Sequence, residues 1–232
     1  HITPELLESS FHALRRDAAP GVDGMTWTGY AEDLASRIPD LHRRIHTGAY
    51  RATPSRRTYI PKADGRLRPL GIAALEDKIV QQAVVTVLSA IYETDFLGFS
   101  YGFRPGRSQH QALDALYVAI DTRPINWILD ADIRAFFDNL DWDLTMRAVR
   151  HHTREPWVVL YIERWLRAAV QLPDGSRQER DRGTPQGGVV SPLLANLFLH
   201  YAFDAWMQRH YPQIPFERLT DEALCHFRTR EK

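Results

Sequence analysis

The alternation of apolar and polar residues predicts six helices along the chain. They cover residues 4–16, 30–46, 75–91, 108–120, 155–170 and 191–208. Ser108 and Gln111 form a capping box at the start of the fourth helix, and Pro156 lies in the first turn of the fifth. Pro39 predicts a break within the second helix, because proline has no amide hydrogen to donate inside a helix.

Short apolar runs and turn residues predict strands between these helices. Asp64 and Gly65 predict the turn of a hairpin within residues 50–71. The sequence Pro-Asp-Gly-Ser at residues 173–176 predicts a second hairpin, and residues 216–227 a strand–turn–strand. The run Trp-Ile-Leu at residues 127–129 predicts a buried strand. The expected class is therefore α+β, in one continuous domain.

The composition excludes several classes of protein. The chain has 232 residues, 44% of them hydrophobic and 25% charged, so it is long enough to bury a core and is unlike a disordered chain. Its one cysteine, Cys225, excludes an internal disulfide and a cysteine-based zinc site, and suits a reducing compartment. No apolar run approaches the roughly 18 residues of a membrane span. We therefore expect a cytoplasmic protein without membrane contact.

The net charge is zero, but residues 41–70 are strongly basic. This segment has a single acid, Asp64, against Arg43, Arg44, Arg51, Arg56, Arg57, Lys62, Arg66 and Arg68. Such a block is typical of a surface that faces phosphates, although it also fits a solvated face. Two of these cations, Lys62 and Arg68, lie near the predicted hairpin turn. They could grip a triphosphate there, or belong to an ordinary basic hairpin.

Asp132 follows the predicted strand at residues 127–129 and precedes two phenylalanines. A carboxylate at a strand end, with the Ile133 carbonyl beside it, can hold a divalent cation. Two-metal phosphoryl transfer needs a second carboxylate, for which Asp221 is a candidate. The alternative is that these acids only solvate a loop. The segment F-S-Y-G-F-R-P-G at residues 99–106 combines aromatic rings and arginine, which can stack on bases and pair with phosphates.

Five segments together resemble the reverse transcriptase domain of group II intron-encoded maturases, and they occur in that family's order. They read G-V-D-G from Gly21, Y-I-P-K-A-D-G-R-L-R-P-L-G-I from Tyr59, Y-G-F-R-P-G-R-S from Tyr101, D-I-R-A-F-F-D-N-L-D from Asp132 and G-T-P-Q-G-G-V-V-S-P-L-L-A-N-L-F-L from Gly183. The resemblance implies a right-hand polymerase fold with helices packed on a small antiparallel sheet and a fingers hairpin. It places the fingers at about residues 1–125 and the palm at about 126–232, with interleaved finger elements.

The resemblance also implies the roles of individual residues. Catalysis would depend on Asp132, Asp221 and Glu222, with Asp132, Ile133 and Asp221 holding Mg²⁺ or Mn²⁺. The deoxynucleoside triphosphate would contact Lys62, Arg68, Ile133, Phe137, Gln186 and Gly187, and the Phe137 ring would exclude ribonucleotides. Template RNA would contact Arg56, Arg57, Arg104 and Arg107. The implied partners are RNA template, primer and intron RNA. We expect Asp138 and Asp141 to be structural.

Two departures from the family leave the activity open. The family's Tyr-Ala-Asp-Asp is replaced by Leu-Thr-Asp-Glu at residues 219–222, and the chain ends at Lys232, before the family's thumb and maturase regions. The first hypothesis is therefore a truncated RNA-directed DNA polymerase, with impaired activity or none by itself. The second is a catalytically inactive fragment that binds RNA. The third is another palm polymerase, of retron type or making RNA, although Phe137 argues against RNA synthesis.

Overall fold

The computed structural model describes residues 2–62 and 65–229, so Asp64 of the predicted turn lies outside the described residues. It confirms the α+β class. The helices are α1 (Pro4–Ala13), α2 (Trp27–Ala31), α3 (Leu34–His46), α4 (Leu75–Tyr92), α5 (Gln109–Thr122), α6 (Phe136–Asn139), α7 (Trp142–His152), α8 (Pro156–Arg167), α9 (Ser191–Leu199) and α10 (Ala205–His210). The strands are β1 (Ser55–Pro61), β2 (Leu67–Ile72), β3 (Trp127–Asp132), β4 (Val170–Gln171), β5 (Arg177–Gln178), β6 (Phe216–Leu219) and β7 (Glu222–Phe227).

The chain divides into two compact units, each built from two separated segments. Unit 1 contains residues 1–88 and 137–191, and unit 2 contains residues 89–136 and 192–232. The two units are interleaved along the chain, as are the fingers and palm that the resemblance implies. The single reverse transcriptase domain, and its division into fingers at about residues 1–125 and palm at about 126–232, stay predictions.

The second predicted helix is divided at its start and continuous at Pro39. Thr26 caps the short helix α2, and α3 begins only at Leu34. Pro39 lies inside α3 without ending it, which contradicts the predicted break. Proline removes a single hydrogen bond from the helix, and the burial of Ile38, Leu41 and Ile45 on one face of α3 offsets that loss.

The sheet of unit 1 has the strand order β2-β1-β4-β5. Strands β1 and β2 form the first predicted hairpin, with Pro61 opposite Leu67, and β4 and β5 form the second. The pairing of β1 with β4 is parallel, so this sheet is mixed. A parallel pair joins segments that are distant in sequence, which the local pattern does not reveal. The expected small antiparallel sheet is the one in unit 2.

Unit 2 contains α5, α10 and the antiparallel sheet with strand order β3-β7-β6. The Ser108–Gln111 capping box is present as predicted. The helical run predicted for residues 191–208 consists of α9, a π-helical turn at His200–Asp204, and α10. Met207, Phe216 and Cys225 form a buried apolar cluster between α10 and the sheet.

Strand β3 forms where predicted, but it is not buried. All six of its residues are exposed, including Trp127 (48 % exposed) and Leu129 (54 %). It is the outer strand of its sheet and pairs with β7 on one side within the described part of the chain. None of the helices that the structure describes is both long and apolar enough to cross a membrane.

Candidate active site

The acidic residues singled out in the sequence meet at one end of the sheet in unit 2. Strand β3 ends at Asp132 and β7 begins at Glu222, and these two residues are directly paired. The Ile133 amide donates to the Asp221 carbonyl at 3.2 Å. The sheet register therefore brings together Asp132, Ile133, Asp221 and Glu222, which come from segments about ninety residues apart in the sequence.

Asp221 is carried by the tight turn between β6 and β7. Leu219 and Glu222 pair across this turn, which leaves Thr220 and Asp221 as its two central residues. Thr220 has φ +57°, a left-handed conformation that is uncommon for a β-branched residue. Its hydroxyl oxygen lies 2.9 Å from Asp221 Oδ1 and 2.6 Å from the Leu219 carbonyl oxygen. The Asp221 carboxylate is therefore contacted by Thr220, the residue before it in the turn.

The acidic end of this sheet offers oxygen donors to a divalent cation. Like charges directly opposite in an antiparallel pair repel each other, and a bound cation would relieve that repulsion between Asp132 and Glu222. Oxygen-only donors suit Mg²⁺ or Mn²⁺. Within residues 2–62 and 65–229, no group of three or more His, Cys, Asp and Glu side chains could hold a metal ion.

The two cations predicted to clamp a triphosphate are both exposed on the hairpin of unit 1. Arg68 in β2 pairs with Ile60 in β1, and the Lys62 amide donates to the Arg66 carbonyl at 2.7 Å. Side chains alternate between the faces of a strand, so the continuation of β1 to Lys62 directs its side chain to the face that carries Arg68. The hairpin therefore brings the two cations to one face, near its turn.

The glycine-rich loop before α9 is tied to two other segments of unit 1. The Gly71 amide donates to the Gln186 carbonyl at 2.8 Å, and Gln186 Nε2 donates to Asp138 Oδ2 at 3.3 Å. The Thr184 amide donates to the Phe137 carbonyl at 2.7 Å. These bonds bring Phe137, Gln186 and Gly187 into one region.

Gly183, at the start of this loop, is required by its conformation and its surroundings. It has φ +79°, and a Cβ atom there would lie 2.6 Å from the Asp138 carbonyl oxygen.

The expected structural role of Asp141 is also present, since its side chain accepts the Leu144 amide at the start of α7.

The four arginines predicted to contact RNA have different surroundings. Arg104 is buried (7 % exposed), and its guanidinium donates to the Glu93 carboxylate and to main-chain carbonyls, which include those of Leu97 and Ser100. This contradicts its predicted contact with RNA. The sequence pattern could not show that Glu93 and these carbonyls surround it. Arg56 is half-buried, and two of its nitrogen atoms donate to the Pro20 carbonyl at 3.1 and 2.7 Å.

Arg57 and Arg107 remain available at the surface. Arg107 is exposed and lies over the Tyr101 ring, with its guanidinium carbon 5.5 Å from the ring centroid. Arg57 lines a polar concavity in unit 1 together with Arg180 and Gln186. Burial and the nearby Arg57 charge lower the pKa of Arg180 to about 10. The Arg180 guanidinium is therefore still charged at neutral pH.

A buried polar network in unit 2 was missed by the sequence-based predictions. Arg218 in β6 is bonded to Asp204 and Asn196, and all three side chains are buried. The sequence contained one sign of this network: Glu217 and Arg218 are two charged residues inside a short strand that is expected to pack against a core.

Glu217 and His226 form a second buried polar pair in the same sheet. Glu217 Oε2 lies 2.6 Å from His226 Nε2. Burial raises the pKa of Glu217 to about 7 and lowers the pKa of His226 below its ordinary value. The pair lies in β6 and β7, the two strands that flank the Asp221 turn.

Comparisons with known proteins agree with this arrangement. The chain is 38% identical over 196 residues to protein YkfC of Escherichia coli K12. The matched region covers 83% of this chain and 51% of that protein. It is 31% identical over 227 residues to the group II intron-encoded protein LtrA of Lactococcus lactis, covering 95% of this chain and 37% of that one. The chain thus spans about half or less of these relatives' length.

Solved structures and a family model support the same assignment. A reverse transcriptase chain in a partial Cas6-RT-Cas1–Cas2 complex has a TM-score of 0.58 and 19% identity, over 99% of this chain and 38% of that chain. This similarity shows the reverse transcriptase fold. The model of the family described as reverse transcriptase (RNA-dependent DNA polymerase) matches residues 60–232. The chain therefore belongs to the reverse transcriptase family and, with relatives such as LtrA, to its group II intron-encoded members.

Proposed function

We propose that this chain carries the nucleotidyl-transfer site of a group II intron-type RNA-directed DNA polymerase. The observation that carries the proposal is the sheet end in unit 2, where Asp132 pairs with Glu222 and the Ile133 amide bonds to the Asp221 carbonyl. Asp132, the Ile133 carbonyl and Asp221 would hold Mg²⁺ or Mn²⁺. A bound divalent cation in such a site stabilises the charge that develops on the transferred phosphoryl group.

The chain's other residues would bind and select the incoming deoxynucleoside triphosphate. Lys62 and Arg68 share one face of an exposed hairpin, where their charges can hold phosphate oxygens. The Phe137 ring would lie against the sugar and exclude a 2′-hydroxyl, and Gln186 and Gly187 would pack beside the base. The bonds from the loop to Phe137 and Gly71 support this by keeping these residues in one region.

We infer that the RNA partners bind through basic side chains at the surface. Arg107, stacked on Tyr101, and Arg57, beside Arg180, can each contact a phosphate of the template. The names of the relatives, a group II intron-encoded protein and a nuclear intron maturase, support intron RNA as a further partner.

An RNA-binding role without polymerisation is the second candidate. The observation that favours it is the altered quartet at residues 219–222, in which Leu219 replaces the family's tyrosine and Thr220 its alanine. Glu222 keeps a carboxylate but is one methylene longer than aspartate. The basic surface is unaffected by these changes, so template binding would persist.

Primer extension on an RNA template with Mg²⁺ distinguishes the two candidates. The assay compares this chain, Asp132→Ala, and the triple variant Leu219→Tyr, Thr220→Ala and Glu222→Asp, after each is shown to be folded and to bind the template. Extension that is lost in Asp132→Ala would support the polymerase. Extension only by the triple variant would place the defect in the quartet. No extension by any version, despite template binding, would contradict the polymerase for this chain and favour the RNA-binding role.

A further inference from the structure

Arg218 uses all of its hydrogen-bond donors inside unit 2. A guanidinium group has five N–H donors in a rigid plane. In Arg218, Nε and Nη2 donate to the two Asp204 oxygens at 2.7 Å each, and Nη2 also donates to Ser100 Oγ at 2.8 Å. Nη1 donates to Asn196 Oδ1 at 3.2 Å and to the Thr220 carbonyl at 2.6 Å. All five N–H groups of the guanidinium are therefore bonded, and these bonds fix its orientation.

Three of the residues bonded to Arg218, namely Asp204, Asn196 and Ser100, are as buried as Arg218 itself. Arg218 is 2 % exposed and Asp204 0 %. Asp204 lies in the π-helical turn between α9 and α10, an irregularity that often marks functional sites. A buried ion pair is costly to desolvate and contributes little net stability compared with apolar residues of the same size. The pair is therefore more readily explained by what it positions than by the stability it adds.

One of the five bonds reaches the turn that carries Asp221. The Thr220 carbonyl, which accepts from Arg218 Nη1, belongs to the peptide group that leads directly into Asp221. Asp221 in turn accepts the Ile133 amide with its own carbonyl. A continuous chain of bonds thus runs from Asp204 through Arg218 and the turn to the end of β3.

A second support for the turn comes from the loop at residues 99–102. This loop runs beside β6, with the Tyr101 amide bonded to the Arg218 carbonyl at 2.9 Å and the Arg218 amide bonded to the Phe99 carbonyl at 2.8 Å. A Cβ atom at Gly102 would lie 2.5 Å from Thr220 Cγ2 and 2.5 Å from the Thr220 nitrogen. Asn196 Nδ2 holds the Gly102 carbonyl at 2.6 Å. The loop therefore presses against the strained residue of the turn.

We propose that Arg218 is a positioning residue of the nucleotidyl-transfer site, which sets the location of the Asp221 turn relative to Asp132 and is backed by Asp204, Asn196 and Gly102. This rests on the proposed function, because Asp221 is taken to hold the metal. Residues 99–102, which the sequence suggested as an RNA surface, support the carboxylate turn in this arrangement.

Arg104 provides a matched control for a purely structural arginine. It is also buried in unit 2 and paired with a carboxylate, that of Glu93, but its bonds go to Glu93 and to the carbonyls of residues 96, 97 and 100. None of these bonds reaches residues 219–222, and one of them goes to the Ser100 carbonyl in the supporting loop. Arg104→Lys keeps a cation beside Glu93 and leaves the main-chain bonds of residues 99 and 101 to Arg218 in place, so it should lower stability without moving the Asp221 turn.

The test compares three variants with the unmodified chain. Arg218→Met combined with Asp204→Leu replaces the buried pair by apolar side chains and removes the bond to Thr220. Gly102→Ala leaves the pair intact and forces the turn away from its support. Arg104→Lys is the control. Each protein is examined by amide hydrogen exchange at Ile133, by Mn²⁺ titration followed by electron paramagnetic resonance, and by thermal unfolding.

We expect the first two variants to exchange the Ile133 amide faster and to bind Mn²⁺ at least about tenfold more weakly, as substitutions behind metal ligands commonly do. Arg104→Lys should change neither, even with an equal loss of thermal stability. If Ile133 exchange in the Arg218 and Gly102 variants follows thermal stability as it does in Arg104→Lys, Arg218 is only structural and the inference is overturned. If the unmodified chain binds no Mn²⁺ while Ile133 protection is selectively lost, the proposed function fails and the positioning of the turn stands.

Discussion

Asp132 and Glu222 are directly paired across β3 and β7, so two carboxylates face each other at an exposed end of the sheet in unit 2. Directly opposed like charges destabilise an antiparallel pair. The pairing is therefore unfavourable for the metal-free fold, and a bound cation would offset the repulsion.

Neutralising one member of this pair should stabilise the metal-free protein. We expect Glu222→Gln to raise the free energy of unfolding by about 0.2–1 kcal/mol, measured by urea denaturation with a chelator present. Asp114→Asn, at an exposed position of α5, is the control and should have no effect of this size. A destabilised Glu222→Gln variant would show that the two carboxylates do not repel each other in the folded chain.

Truncating Phe137 should weaken discrimination between sugars. The Phe137 carbonyl is bonded to the Thr184 amide, so Phe137→Ala removes the ring without releasing the backbone. In any version of the chain that extends primers, we expect ribonucleotide incorporation to rise by at least about tenfold relative to deoxyribonucleotides. Phe137→Tyr keeps the ring and should keep the discrimination. Equal discrimination in the alanine variant would remove the assigned role.

Stability should depend on pH through Glu217. Burial raises its pKa to about 7 from an ordinary 4.5, so the folded carboxyl holds its proton more tightly than the unfolded one. Its contribution to stability is complete below about pH 4.5 and is lost as the pH rises through about 7. Relative to Glu217→Gln, the unmodified chain should lose up to about 3 kcal/mol over this window and then level off.

Several charged and polar groups near Glu217 influence the pH dependence of stability that this comparison measures. His226 faces it from β7, and the charges or polar groups of Arg123, Tyr101 and Cys225 also act on this part of the sheet. The lowered pKa of His226 has the opposite effect, since stability from that residue is lost as the pH falls below 6.5. Because His226 lies 2.6 Å from Glu217, the two titrations are coupled, and the same comparison is made with His226→Gln in both proteins to remove the His226 contribution.

Removing the cap of α5 should have a predictable cost. Ser108 Oγ accepts the Gln111 amide, and Gln111 Oε1 accepts the Ser108 amide. We expect Ser108→Ala to lower the free energy of unfolding by about 1 kcal/mol, and Ser108→Asn, which can still cap, to lower it much less. Equal losses in the two variants, measured by chemical denaturation, would show that the side-chain cap does not stabilise the helix.

Features that depend on neighbouring residues in the sequence could be predicted. The capping box at Ser108, the start of α8 at Pro156 and the hairpin around residues 216–227 each depend on residues within one turn of backbone. The association of Asp132 with Asp221 was also expected, because the family's motifs name both. Arg104 was misjudged, because a basic residue in an aromatic, glycine-rich segment has the same local pattern whether it faces RNA or a buried carboxylate.

The sequence by itself determined the order of the elements, the family and the residues that carry the proposed chemistry, since these depend on local spacing and on motifs along the chain. Only the tertiary structure decided which carboxylates face each other, that β3 is an exposed outer strand, and that Arg218 holds the Asp221 turn. These relationships join segments up to about a hundred residues apart. They depend on strand register and on which polar groups are buried together, and neither is encoded in the pattern of any one segment.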